Sequence, residues 1–148
     1  MPKLKAIEAD LAKANITPVL SNNIEADALQ KFSFVSPMAA SGAYFDESAI
    51  AFQKPGAEYD MFKACVEEVK ALSIAMDVAL PDNILDINTE ILNGLAATST
   101  ASMHRDYKAG KECEMDGLIV EVIRLGKQYN VPTPTYEKVY AKLSGAQQ

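Results

Sequence analysis

The 148 residues include no tryptophan, a single histidine and only two cysteines. His104 has neither a second histidine nor a Cys-x-x-Cys pair to join it, so no metal-ligand set is expected. No Ser-His-Asp or Cys-His arrangement can be assembled either. Cys65 and Cys113 read as reduced, structural thiols, which suits a cytoplasmic protein. Positive charge is scarce: the net charge is −6 and there is no basic cluster, so no nucleic-acid partner is expected. No apolar run approaches the roughly 18 residues of a membrane span. The opening MPKLKAIEAD lacks the apolar stretch of a secretory signal. The G-x-G-x-x-G turn that cradles a dinucleotide is missing as well.

What is present is ordinary for a globular protein, with 49% hydrophobic and 23% charged residues. The length fits one domain, or one domain with a small appendage. Leu4, Ile7 and Leu11 recur at helical spacing, Asn15 suits a C-terminal stop, and ITPVL (16–20) is extended and apolar. This predicts a helix and a short strand over 1–20. Asn22-Asn23 offers an N-cap to a helix from Ile24 that carries Leu29, Phe32, Phe34 and Val35. Pro37 should kink it before it continues through Ala39, Ala40, Ser41, Gly42 and Ala43, small residues that admit a close neighbour. Residues 46–57 hold a short helical turn and a Lys54-Pro55-Gly56 break.

Over 57–79 the pattern is strongly helical. Met61, Ala64, Cys65, Leu72, Ala75 and Met76 lie on one side, and Glu67, Glu68 and Lys70 on the other. Pro81-Asp82 starts the next helix, with Ile84, Ile87, Ile91, Leu92 and Leu95 as its stripe. A last helix opens at Thr133-Pro134, buries Tyr136, Val139, Tyr140 and Leu143, and should fray at Ala146-Gln147-Gln148. The fold class is therefore an all-α multi-helix bundle with a short βα remnant at its N-terminus. One βα fragment cannot make a sheet alone, so it reads as the tail of a missing α/β domain.

The chain is organised around residues 99–134, a short helix, a Gly110 stop, a long amphipathic helix and a proline-bounded exit. Met115, Leu118, Ile119, Val122, Ile123 and Gly126 repeat at helical spacing in the long helix. Within this stretch Ser102-Met103, Asp106, Gly110, Glu114 and Asp116 form the pattern S-M-x-x-D-x-x-x-G-x-x-x-E-x-D, followed by a helix and Val131-Pro132-Thr133-Pro134. That pattern resembles the C-terminal half of ketopantoate reductases (2-dehydropantoate 2-reductases). The resemblance implies a helical domain like that of 6-phosphogluconate dehydrogenase, which binds substrate and dimerises, over 22–148. It also implies that 1–21 is the tail of a Rossmann domain that binds NADPH and is otherwise absent from this sequence.

The resemblance further implies site residues. Lys31, in Leu29-Gln30-Lys31-Phe32, matches the catalytic lysine, whose ammonium can donate a proton to a 2-oxo acid carbonyl. Glu114 matches the glutamate that holds substrate and lysine, and Ser102 a serine that contacts the substrate carboxylate. Read from periodicity alone, Lys31 is a solvated helix lysine, Glu114 a first-turn carboxylate and Ser102 a cap. Asp106 and Asp116 are expected to fix local helix ends. The match departs at Val35 and Ala39, where the family usually carries asparagines, and this points toward a different 2-oxo acid. The implied function is half of an NADPH-dependent reductase serving pantothenate biosynthesis, inactive alone, with a possible homodimer contact and no membrane partner. The alternative is a stand-alone, non-catalytic helical dimerisation module.

Overall fold

A computed structural model describes residues 2–145, which fold into eight α-helices and one π turn, with no strand among the described residues. The helices are α1 Pro2–Lys13, α2 Ile24–Phe45, α3 Ala49–Phe52, α4 Ala57–Ala75, α5 Ile84–Asn93, α6 Ser102–Lys108, α7 Glu121–Tyr129 and α8 Pro134–Gly145, and the π turn is Asp116–Val120. The all-α bundle is as expected from the sequence. The short strand is not: residues 16–20 are extended but pair with nothing among the described residues. A strand exists only through a partner ladder, and an apolar extended run without one stays irregular. The tail at 146–148 lies outside the described residues.

α2 is the axis of the bundle because its second half is made of small side chains. Ala39, Ala40, Ser41, Gly42 and Ala43 are all buried, and this thin stretch lets α4, α5, α6, α8 and the π turn all pack against one helix. Asn23 caps it as expected, its side-chain oxygen accepting from the Ala26 amide at 3.2 Å. The helix continues through Pro37, whose ring nitrogen cannot donate to the Ser33 carbonyl four residues back. Asn88 of α5 fills that gap: its side-chain amide donates to the Ser33 carbonyl at 2.9 Å and to Ser33 Oγ at 3.1 Å. A buried carbonyl left bare would cost about 1–3 kcal/mol. Asn88 is thus the polar residue on the buried face of α5, between Ile84 and Leu92. Ile91, expected in that stripe, is 45% exposed. The buried period runs i, i+4, i+8 through the asparagine.

The core forms two connected clusters. One gathers Ala39, Cys65, Val69, Met103, Ile119, Val122, Tyr136 and Leu143. The other gathers Met38, Phe52, Phe62, Val66, Ile84 and Leu92. Both draw on α2 and α4, so these two helices carry the fold. In the last helix Tyr136, Val139 and Leu143 are buried as expected, whereas Tyr140 is 40% exposed. α1 stands apart. It has no buried residue, and Leu4, Ile7 and Leu11 face solvent.

Candidate functional site

Lys31, Glu114 and Ser102 are all exposed. Lys31 lies in the second turn of α2, Ser102 opens α6, and Glu114 lies in the turn that leads into the π segment. Among the described residues, no hydrogen bond or ion pair joins any two of them. An apolar groove of about 540 Å³ is lined by Leu29, Phe32, Met76, Val78, Leu125 and Tyr129 among others, and Lys31 is not part of its lining. A second, more polar groove of about 850 Å³ is lined by Tyr107, Lys111, Cys113, Met115, Asp116 and Tyr140 among others, with neither Glu114 nor Ser102 in its lining. The two share no lining residue. The chain therefore presents the three residues on open surface and does not itself enclose them.

What lies behind them is tightly held. Ser36 of α2, five residues after Lys31, has its Oγ 2.6 Å from the Leu118 carbonyl and 2.6 Å from the Tyr136 hydroxyl. A carbonyl only accepts, so Ser36 donates to Leu118 and Tyr136 donates to Ser36. Ser36 and Tyr136 are both fully buried. Burial pushes the Tyr136 hydroxyl well above its ordinary value, which keeps it a donor. Leu118 belongs to the π turn, and its amide donates to the Glu114 carbonyl at 2.9 Å. One chain of bonds thus runs from α8 through α2 to the turn that carries Glu114.

The start of α8 is fixed from α4. Glu68 accepts from the Thr135 amide at 2.7 Å and the Tyr136 amide at 3.3 Å, two of the unpaired donors of a helix start. It is half-buried on a face expected to be solvated, and burial raises its carboxyl against the opposing pull of the Thr135 side chain and those amides. The Val-Pro-Thr-Pro exit folds back onto Gly126. A Cβ there would meet the Val131 carbonyl at 2.7 Å and Thr133 Cγ2 at 2.8 Å. Glycine is what lets the chain reverse this closely.

His104 is buried and pairs with a carboxylate. Its Nε2 lies 2.9 Å from Asp46 Oδ1, and Lys108 closes on the same carboxylate at 2.8 Å. Asp46 sits at the C-cap of α2 in the left-handed region, with φ 55°. Lys108 first, then His104, hold its carboxyl below the ordinary range. The ionised carboxylate only accepts, so Nε2 carries the proton. The trio clamps α6 to the end of α2. No group of three or more metal-ligating side chains occurs among the described residues. Burial pushes the Cys65 thiol up, and Cys113 is half-buried beside Glu114. Asp106 and Asp116, expected to fix helix ends, make no side-chain hydrogen bond among the described residues. Asp46 and Glu68 tie helix ends instead.

Three features escape a reading by periodicity. Ser36, Asn88 and Glu68 are matched to partners 82, 55 and 67 residues away, and single-sequence spacing carries no trace of such pairs. The one available signal was Pro37, which frees a carbonyl and so demands a donor from elsewhere. Of the two family departures, Ala39 is fully buried in the core and Val35 half-buried.

No curated protein matches the chain at the level of sequence. Among solved structures, it is similar to 2-dehydropantoate 2-reductase from Methylococcus capsulatus, with 20% identity and a TM-score of 0.85 over 99% of this chain and 50% of that one. A dimeric ketopantoate reductase from Staphylococcus aureus gives 18% and 0.84 over 98% and 51%. D-mandelate dehydrogenase with NADH and anilino(oxo)acetate gives 18% and 0.84 over 97% and 47%. These likenesses show a shared helical fold, and the chain spans about half the length of the structures it matches. The family described as the C-terminal domain of ketopantoate reductase PanE/ApbA matches residues 23–147. On that match, the chain belongs to the ketopantoate reductase C-terminal family.

Proposed function

We propose that this chain is the substrate half of a nicotinamide-dependent 2-oxo acid reductase, with ketopantoate as the first substrate to test and NADPH as the first cofactor. The observation that carries the reading is the family match over 23–147 in a chain that spans half the length of the solved reductases. Residues 1–21 are then the tail of a Rossmann domain. The free apolar face of α1 supports this, since Leu4, Ile7 and Leu11 cover nothing among the described residues. The helical domain is 22–148. No strand–glycine loop–helix unit occurs among the described residues, so the dinucleotide is held by the other domain.

Bound there, the cofactor supplies hydride to the carbonyl carbon. Lys31 donates a proton to the carbonyl oxygen as its charge develops, which turns the 2-oxo acid into a 2-hydroxy acid. Ser102 meets the substrate carboxylate, and Glu114 orients substrate and lysine. Their exposure on this half fits a site completed by closure against the second domain. The test is NADPH oxidation by the full-length protein with ketopantoate. Lys31→Ala is expected to lower kcat by about 10²–10⁴-fold with an unchanged melting temperature. Parallel loss of fold and activity would remove Lys31 from the chemistry.

Val35 and Ala39 in place of asparagines favour one second reading, a non-catalytic helical module that dimerises. The size of the native polypeptide separates the two. An antibody against this chain detects a band of about twice its mass if a Rossmann domain of ordinary size is attached. A band at the mass of 148 residues makes the module the better reading.

A further inference from the structure

We propose that Ser36 and Tyr136 are positioning residues of the reductase site, acting through the turn that carries Glu114. The inference rests on the reading of Lys31 and Glu114 given above, and deepens it by naming what holds them in relation to one another. Lys31 and Glu114 sit on different helical segments, are exposed, and touch neither each other nor a common groove. Their relative placement must come from behind. The shortest connection is the tie Tyr136 hydroxyl to Ser36 Oγ to Leu118 carbonyl, each link 2.6 Å. It bonds α2 five residues beyond Lys31, about 7.5 Å of helix rise, to the π turn four residues beyond Glu114.

Three observations favour a positioning role over generic packing. First, the tie meets the backbone at a π turn, an irregularity that a plain α-helix would avoid and that recurs at functional sites. Second, it uses two polar side chains at fully buried positions, where apolar residues of the same volume would fill the core without needing partners. Third, the same stretch of α2 is anchored twice: Asn88 holds the Ser33 carbonyl and Ser36 holds the Leu118 carbonyl. The segment 33–37 is therefore fixed to α5, α8 and the π turn just where Lys31 leaves it. A reacting group that must hold its place to within about half an ångström needs such support.

The experiment is a double-mutant cycle in the full-length reductase, reading NADPH oxidation with ketopantoate and, separately, the melting temperature. Tyr136→Phe removes one hydroxyl and keeps the ring that fills the core. It is expected to lower kcat by about tenfold, with little change in KM for NADPH. In a Glu114→Ala background the same change should cost almost nothing further, because the group it positions is gone. Ser36→Ala, which removes both links, is expected to show the same coupling at a larger single loss, and serves if Tyr136→Phe fails to fold. Equal kcat losses in both backgrounds, or wild-type kcat in Tyr136→Phe, would overturn the proposal. If Glu114→Ala alone turns over normally, the failure lies in the reading of Glu114, and the tie is then only structural.

Discussion

The inside of this domain and its candidate site are built in opposite ways. Inside, the polar side chains that reach across the core have named partners: Ser36 with Leu118 and Tyr136, Asn88 with Ser33, Glu68 with the first amides of α8. At the surface, Lys31, Ser102 and Glu114 are exposed and joined to none of the others. Buried groups are mostly matched because an unmatched one costs the full loss of hydration, whereas an exposed group is satisfied by water. Asn88 Oδ1 and His104 Nδ1 are the exceptions among the described residues. The ties of the core are thus made within this half, whereas Lys31, Ser102 and Glu114 are not tied to one another. The domain is an internally tied platform, with Lys31, Ser102 and Glu114 standing on its open surface.

Variants should break the two regions apart. Phe62 is fully buried between α2 and α4 and meets Phe34 edge-on at 5.9 Å. Phe62→Ala is expected to cost about 3–5 kcal/mol in urea denaturation of the 148-residue chain, against less than about 0.5 kcal/mol for Lys31→Ala. Comparable losses would mean that Lys31 packs as part of the core, and the contrast between platform and site would fail. Gly126→Ala comes next. Its Cβ would press on the Val131 carbonyl, which is backbone and cannot swing away. The expected cost is about 1–3 kcal/mol, read as a shift in the urea midpoint at unchanged slope. A neutral result would mean that the exit through Pro132 and Pro134 moves freely.

Much of the platform was legible in the sequence because it follows rules of local spacing. Asn23 as N-cap, the small-residue run of α2, the Gly110 stop and the proline exit each act within a few residues, and each is found where expected. The strand expected at 16–20 is not formed, since an apolar run becomes a strand only through a pairing partner, and none is found among the described residues. Ile91 was assigned inward by periodicity and lies outward, because Asn88 takes the inner stripe of α5 for the sake of a carbonyl freed 55 residues earlier. Tyr140 of α8 also lies outward, beside the buried Tyr136, Val139 and Leu143. The π turn likewise widens the helix after Glu114 where the spacing predicted a regular one. The candidate site residues rest on family resemblance alone. As single residues, an exposed lysine, serine and glutamate on helices look like any solvated face.

The smallest test sharpens the comparison with two carboxylates. Asp46 ties the end of α2 from the surface, held by Lys108 and His104. Glu68 ties the start of α8 from a half-buried position. Their proton linkages have opposite signs. Asp46 is lowered from its ordinary 3.8 by its hydrogen bonds from Lys108 and His104, so the unfolded chain binds its proton more readily. The stability it lends is present above about pH 3.8 and is lost as pH falls through the lower folded value. Glu68 is raised from its ordinary 4.5 by burial, so the folded chain binds the proton more readily. Its contribution is fully present below pH 4.5 and is lost as pH rises through the higher folded value. Melting temperatures followed from pH 3 to 7 should separate the two, each effect smaller than about 3 °C. The deficit of Asp46→Asn against wild type should appear above pH 4 and vanish in acid. Glu68→Gln should trail wild type in acid and draw level or overtake it by neutral pH. If both variants show the same sign, the amides of Thr135 and Tyr136 outweigh burial at Glu68, and the start of α8 is an anion site in its own right rather than a carboxylate held there at a cost.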